Sequence, residues 1–154
     1  MYLSVDETEE ILNKVIELFI MPRFQELGMR ATGEWEENVS SKATGLNSGS
    51  IIGPDYTESL TKGNPPGTLV PIPDLVKWAK SKLNLSERDA TGAAYAIQKK
   101  IFLNGTTWYQ EDGSDLMEVL EEPRTLAFVQ EEVGGKFQIK IAEQLVRSAE
   151  EIFR

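Results

Sequence analysis

The sequence predicts an α+β fold in which a small antiparallel sheet packs against several amphipathic helices. Three observations predict it. Apolar residues recur at i, i+3 and i+4 along most of the 154-residue chain. A run rich in Gly, Asn and Ser between residues 41 and 55 separates two short segments, as a hairpin requires. The chain is 40% apolar and 27% charged, the balance of a globular protein with a real core. Its length fits one domain, residues 1–154, with an N-terminal helix region (1–30), a central core (31–107), and a loop with C-terminal helices (108–154).

Composition removes whole classes of chemistry. There is no cysteine and no histidine. Disulfides, thiolate nucleophiles, Ser-His-Asp hydrolysis and His- or Cys-ligated metals are therefore excluded. The formal charge is −9. A broad basic surface for nucleic acid or anionic lipid is not expected, so neither specific nucleic-acid binding nor membrane binding is predicted. The acidic stretch 1–10 lacks the basic region of a secretory leader. The apolar concentration at 15–21 is interrupted by Glu17 and is too short to span a bilayer.

The elements follow in chain order. Ser4 and Glu7 have the spacing of a capping box, and Ile11, Leu12, Val15, Ile16 and Phe19 form the stripe behind it. Pro22 predicts a kink or a restart, and Gly28 a helix stop. Trp35 and Val39, four apart, predict a short helix with Trp35 as a core anchor. Strands are expected at 40–44 and 50–52, with 45–49 as the loop tip. That loop lacks the Gly-Lys-Ser/Thr ending of a phosphate-binding loop.

Residues 55–62 predict one or two helical turns with Tyr56 and Leu60 four apart. Gly63-Asn64-Pro65-Pro66-Gly67 excludes regular helix or central strand. Leu69, Val70 and Ile72 are expected to lie extended against the core. Pro73 suits the first turn of a helix whose apolar face is Leu75, Val76, Ala79 and Leu83, with Trp78 on the flank. Ser86 caps a second helix with Ala90, Ala93, Ala94, Ile97 and Ile101 on one face and Gly105 at its end. A loop is expected at 106–115. Helical spacing returns at 116–120 and 125–133 around Pro123, Gly134-Gly135 reads as a break, and Ile141, Leu145, Ala149 and Ile152 mark a last amphipathic helix. Phe137 and Ile139 fit either that helix or a short strand leading into it.

No nucleophile is paired with a base, and the carboxylates fall mainly on predicted polar faces. No cofactor, metal or catalytic residue is assigned. Lys77, Lys80 and Lys82 make one helix locally basic in an acidic chain. Trp108 and Tyr109 stand beside Glu111, Asp112 and Asp115. Aromatics anchor protein interfaces, so Lys77, Lys80, Lys82, Trp108, Tyr109 and Asp112 are the candidate protein-contact residues.

The order of residues from Thr32 to Thr107 resembles the tail-completion or head–tail joining proteins of tailed bacteriophages. Gly33, Trp35 and Val39 precede the hairpin; Tyr56 and Leu60 lead to Gly63 and Pro65; Ile72 and Trp78 mark one helix; Ala94, Ile97, Lys100 and Ile101 mark the next; Gly105 and Thr106 close it. This chain is more acidic than many such proteins and longer after Gly105. The resemblance implies a structural virion protein without enzymatic activity, assembled as a homo-oligomeric ring at the phage neck. The implied partners are copies of itself and the neighbouring connector, adaptor and tail proteins, with DNA passing through the lumen. It implies a place in the virion, reached from the host cytoplasm during assembly. The alternative from composition is a small acidic regulatory or inhibitory protein binding one host protein through Trp108 and Tyr109.

Overall fold

The computed structural model describes residues 2–153. It is an α+β protein, mostly helical, with one two-stranded antiparallel sheet. The helices are α1 (Val5–Val15), α2 (Met21–Glu26), α3 (Glu34–Asn38), α4 (Thr57–Lys62), α5 (Ile72–Lys82), α6 (Glu87–Asn104), α7 (Thr107–Gln110) and α8 (Pro123–Ile152). The strands are β1 (Ser40–Gly45) and β2 (Ser48–Ile52). Contacts group the chain into two compact units. One combines the chain up to Ile20 with Ser40–Ile52 and the chain from Val119 on; the other combines Met21–Val39 with Gly53–Glu118. These boundaries do not follow the 1–30, 31–107 and 108–154 division expected from sequence.

In the first unit α1 begins at a complete capping box: the Glu7 amide donates to Ser4 Oγ at 3.1 Å, and the Ser4 amide donates to Glu7 Oε2 at 2.8 Å. Ile11 and Val15 are buried, as the stripe predicts. A π-helical segment, Ile16–Ile20, follows immediately before Pro22. Proline has no N–H for the carbonyl four residues back, and its ring clashes there, so regular α geometry is disfavoured at this point.

The hairpin packs on α1. Ser41 Oγ donates to Asn13 Oδ1 at 2.7 Å, and the Ala43 amide donates to Glu9 Oε1 at 3.1 Å. Gly49 is a close-approach glycine, since a Cβ there would meet Leu12 and Thr8 of α1. The expected five-residue loop tip is shorter. Gly45 pairs with Ser48, leaving Leu46 and Asn47 as the turn, with Asn47 left-handed at φ 55°. The Leu3 amide donates to Asn47 Oδ1 at 2.7 Å, which holds that turn against the start of the chain.

α8 corrects the sequence reading most. The expected break at Gly134-Gly135 is absent; one helix runs from Pro123 to Ile152, and Phe137 and Ile139 lie within it rather than in a strand. The reason is an antiparallel ladder of ion pairs with α1. Lys140 pairs with Glu7 at 2.7 Å, Lys136 with Glu10 at 2.6 Å, and Lys14 with Glu132 at 2.8 Å. The ladder spans both sides of the two glycines. Phe19 meets Phe128 with ring centroids 5.4 Å apart, and Arg124 lies over Phe19. Two glycines cost about 1 kcal/mol each in a helix interior, and these tertiary contacts oppose that cost on both sides of the pair.

In the second unit α2 ends as predicted. Gly28 is left-handed at φ 65°; its amide donates to the Gln25 carbonyl at 3.0 Å, and the Met29 amide to the Phe24 carbonyl at 3.3 Å. This is the Schellman arrangement. Phe24 is buried and stacks on Trp35, with ring centroids 4.5 Å apart at 12°. Trp35 is the expected core anchor, and its Nε1 donates to Thr57 Oγ1 at 2.9 Å.

α5 and α6 pack through small residues: Ala79, Ala90 and Ala94 are fully buried. Leu83, expected on the apolar face of α5, is exposed at the helix end. Leu69 was expected against the core and is also exposed. The tether is held by its backbone instead. The Gly67 amide donates to the Phe102 carbonyl at 2.7 Å, and Gln98 Nε2 to the Val70 carbonyl at 2.9 Å.

Candidate protein interface

The candidate contact residues all belong to the second unit; Lys77 and Lys80 line one groove and Tyr109 a second, whereas Lys82, Trp108 and Asp112 line neither. The first runs along α5. Ile72, Pro73 and Val76 supply its apolar lining, Lys77, Lys80 and Glu87 its charged lining, and its volume is about 630 Å³. The three lysines already have partners within the chain. Lys77 pairs with Glu34, Lys80 pairs with Glu87, and Lys82 donates to the Gly28 and Arg30 carbonyls. The Glu34 carboxylate beside Lys77 raises the pKa of that lysine. The basic helix is thus partly neutralised by its own surroundings. Trp78, on the flank of α5, is partly exposed, as expected.

The second groove lies between α4, the tether and α7. Glu58, Ser59, Lys62, Asn64, Pro65 and Tyr109 line it, with a volume of about 400 Å³. The region expected as a loop begins with the helical turn α7, capped by Thr106. Tyr109 is exposed over somewhat less than half of its surface, whereas Trp108 is more deeply buried. Asp112 ends this turn in the left-handed region at φ 62°. Its amide donates to the Tyr109 carbonyl at 3.1 Å, and the Gly113 amide to the Trp108 carbonyl at 2.6 Å. Aspartate tolerates that conformation better than most residues, which accounts for its position in the turn.

Two glycines make the α4–α7 approach possible. Gly63 has φ 78°, and a Cβ there would collide with the Tyr109 backbone. Gly105 has φ 76°, with the Asn64 carbonyl against it. Between them the Thr106 amide donates to the Asn64 carbonyl, and the Asn64 amide to Thr106 Oγ1, each at 2.9 Å.

Comparisons with known families, characterised proteins and solved structures found no significant match to this chain.

Sequence reasoning missed two features of this unit. Arg23 grips Asp115, which drives the carboxylate pKa below its ordinary range and that of Arg23 upward. Nothing in local spacing links residues 23 and 115. Glu36 turns both carboxylate oxygens inward without a hydrogen-bond partner, and Arg30 Nε lies 3.6 Å from one of them. Burial and the carboxylates of Glu34 and Glu36 raise the Tyr56 pKa nearby. The other shifted carboxylates, Glu7, Glu10 and Glu58, are all moved downward, each chiefly by a lysine. Among the described residues no helix is long and apolar enough to cross a membrane.

Proposed function

We propose that this chain is a structural virion protein of a tailed phage, one subunit of a neck or tail-completion ring that joins tail to head. The attribution to phage rests on the ordered resemblance of residues 32–107. What supports an assembly role is the placement of large apolar side chains in solvent. Tyr95, Phe102 and Leu103 on α6, and Ile139, Leu145 and Ile152 on α8, are each about half exposed or more. A protein of this size that leaves so much apolar surface in water is suited to burying it against others. Rings require one patch to complement another on the same subunit. The α5 groove, with its apolar floor and lysine rim, is one such patch on an acidic chain.

The ring contributes position and no chemistry. Its partners are copies of itself and the adjoining connector and tail proteins. The net charge of −9 lets DNA pass through the lumen without adhering. The test is electron microscopy of particles assembled with this gene disrupted. Filled heads and separate tails are the expected result.

A second reading is favoured by the groove beside Tyr109: an acidic regulatory protein that binds one host protein there. Normal infectious particles from the disrupted gene would replace the first reading with this one.

A further inference from the structure

Two helix faces of this chain are both exposed, both rich in apolar side chains and opposite in charge. The first is the outer face of α6. Ala90 and Ala94 are buried on the side that packs on α5, and Arg88, Gly92, Tyr95, Ala96, Lys99 and Leu103 lie exposed on the opposite side. Among the described residues no carboxylate pairs with Arg88 or Lys99. Gly92 stands in the middle of this face with open space where a Cβ would lie. A glycine there costs the helix about 1 kcal/mol, and no neighbour within the chain requires it.

The second face is the last part of α8, where every residue from Ile141 to Phe153 is exposed. At about 100° per residue, Ile141, Ala142, Leu145, Val146, Ala149 and Ile152 share one arc. Glu150 and Glu143 border that arc on one side. Ser148 and Gln144 border it on the other, with Glu151 and Arg147 beyond them. Among the described residues neither Glu143 nor Glu150 pairs with a cation.

We infer that the outer face of α6 receives the end of α8 from a second copy of the chain, the two helices parallel, with Glu143 beside Arg88 and Glu150 beside Lys99. Charge selects this occupant and its direction. In a right-handed helix the order of residues fixes which edge is which. With the helices parallel, the Glu143 and Glu150 edge faces the Arg88 and Lys99 edge. With them antiparallel it faces Asp89 and Lys100, and Glu150 falls beside Asp89, a like charge that opposes docking. The two glutamates are about 10 Å apart along their axis and the two cations about 16 Å, a difference that the long arginine and lysine side chains span. Neither face suits an antiparallel pair with its own copy. That arrangement sets Glu143 against Glu150 on α8, and Arg88 against Lys99 on α6. The contact is therefore heterologous. Each copy offers one face and receives at the other, so the contact repeats from neighbour to neighbour and leaves the axis of a ring open. The inference rests on the ring-forming reading above and names the two faces that join adjacent subunits.

The test is sedimentation velocity on the full chain over a wide concentration range, with Lys99→Glu, Glu150→Lys and the variant carrying both. Both side chains are exposed, and circular dichroism checks that the fold persists. The expected result is an assembly larger than a dimer. Each single variant should raise its dissociation constant by about tenfold or more, and the double variant, which restores opposite charges across the contact, should return it to within about threefold of the parent. An equimolar mixture of the two single variants should assemble as the double variant does, because each supplies the face that the other lacks. A species that stops at a dimer, or a monomer at every concentration, overturns the inference. An assembly indifferent to both single variants, or one that the double variant fails to restore, overturns it while leaving the ring reading intact. A monomer that binds vesicles of phosphatidylcholine and phosphatidylglycerol, and loses that binding with Lys99→Glu, assigns the α6 face to lipid and also overturns it. Failure of the phage reading itself is seen separately, in the particles from the disrupted gene.

Discussion

Arg23 holds Asp115 by two hydrogen bonds, 2.9 Å from Nε to Oδ1 and 2.5 Å from Nη2 to Oδ2. The two residues are 92 apart in sequence, so the pair ties α2 to the segment after α7. Bidentate geometry makes this the most directional of the ion pairs described here.

That pair predicts a pH signature. The folded pKa of Asp115 lies below the ordinary value of 3.8. Its stabilisation is therefore complete above that value and is lost as pH falls through the folded pKa. Asp115→Asn should lower the melting temperature at neutral pH. The difference from the parent should shrink steadily below about pH 4. A constant difference across a melting series down to pH 2 would show that the charge is not responsible.

Glycine positions predict effects of opposite sign. Gly63→Ala forces a Cβ into the Tyr109 backbone at φ 78° and should cost about 2 kcal/mol or more. Gly134→Ala and Gly135→Ala place a methyl group in open space within α8. Each should stabilise by about 0.5–1 kcal/mol. Urea unfolding of the three variants decides this, and a destabilised Gly134→Ala would contradict the uninterrupted helix.

The Trp35 site separates packing from hydrogen bonding. Trp35→Ala removes a buried ring stacked on Phe24 and should cost about 3–5 kcal/mol. Thr57→Val deletes only the acceptor of the indole N–H and should cost about 1–2 kcal/mol. Equal losses in denaturant titrations would mean that the hydrogen bond, rather than the stack, organises this corner.

The basic face of α5 is open to charge reversal. Replacing Lys77, Lys80 and Lys82 together by Glu should impair ring assembly. Lys77 and Lys80 also pair within the chain, so the fold needs its own control. The exchange Lys77→Glu with Glu34→Lys keeps the internal pair while inverting its polarity. Assembly that survives the triple reversal, measured by light scattering, removes this helix from the ring contact.

Much of the second unit was legible beforehand. Gly28, Ser86 and Gly105 terminate or cap helices through groups within a few residues, and such signals are local. The Trp35 anchor was legible because a large ring at helical spacing from Val39 has few other places to go. The candidate interface was legible only as residue types. Lys77 and Lys80 gained partners from α3 and α6, and Trp108 became half-buried when residues 107–110 formed a helical turn. None of these outcomes depends on local spacing.

By itself the sequence determined the α+β class, the hairpin, the capping of α1 and the excluded chemistries, because composition, caps and periodicity act over a few residues. Only the tertiary structure decided that α8 runs through Gly134-Gly135, since the Glu7, Glu10 and Lys14 ladder that supports it comes from the far end of the chain. It also decided that Leu69 and the Ile141–Ile152 stripe stay in water. An apolar pattern states which face seeks burial; whether another element reaches that face is a property of the whole chain.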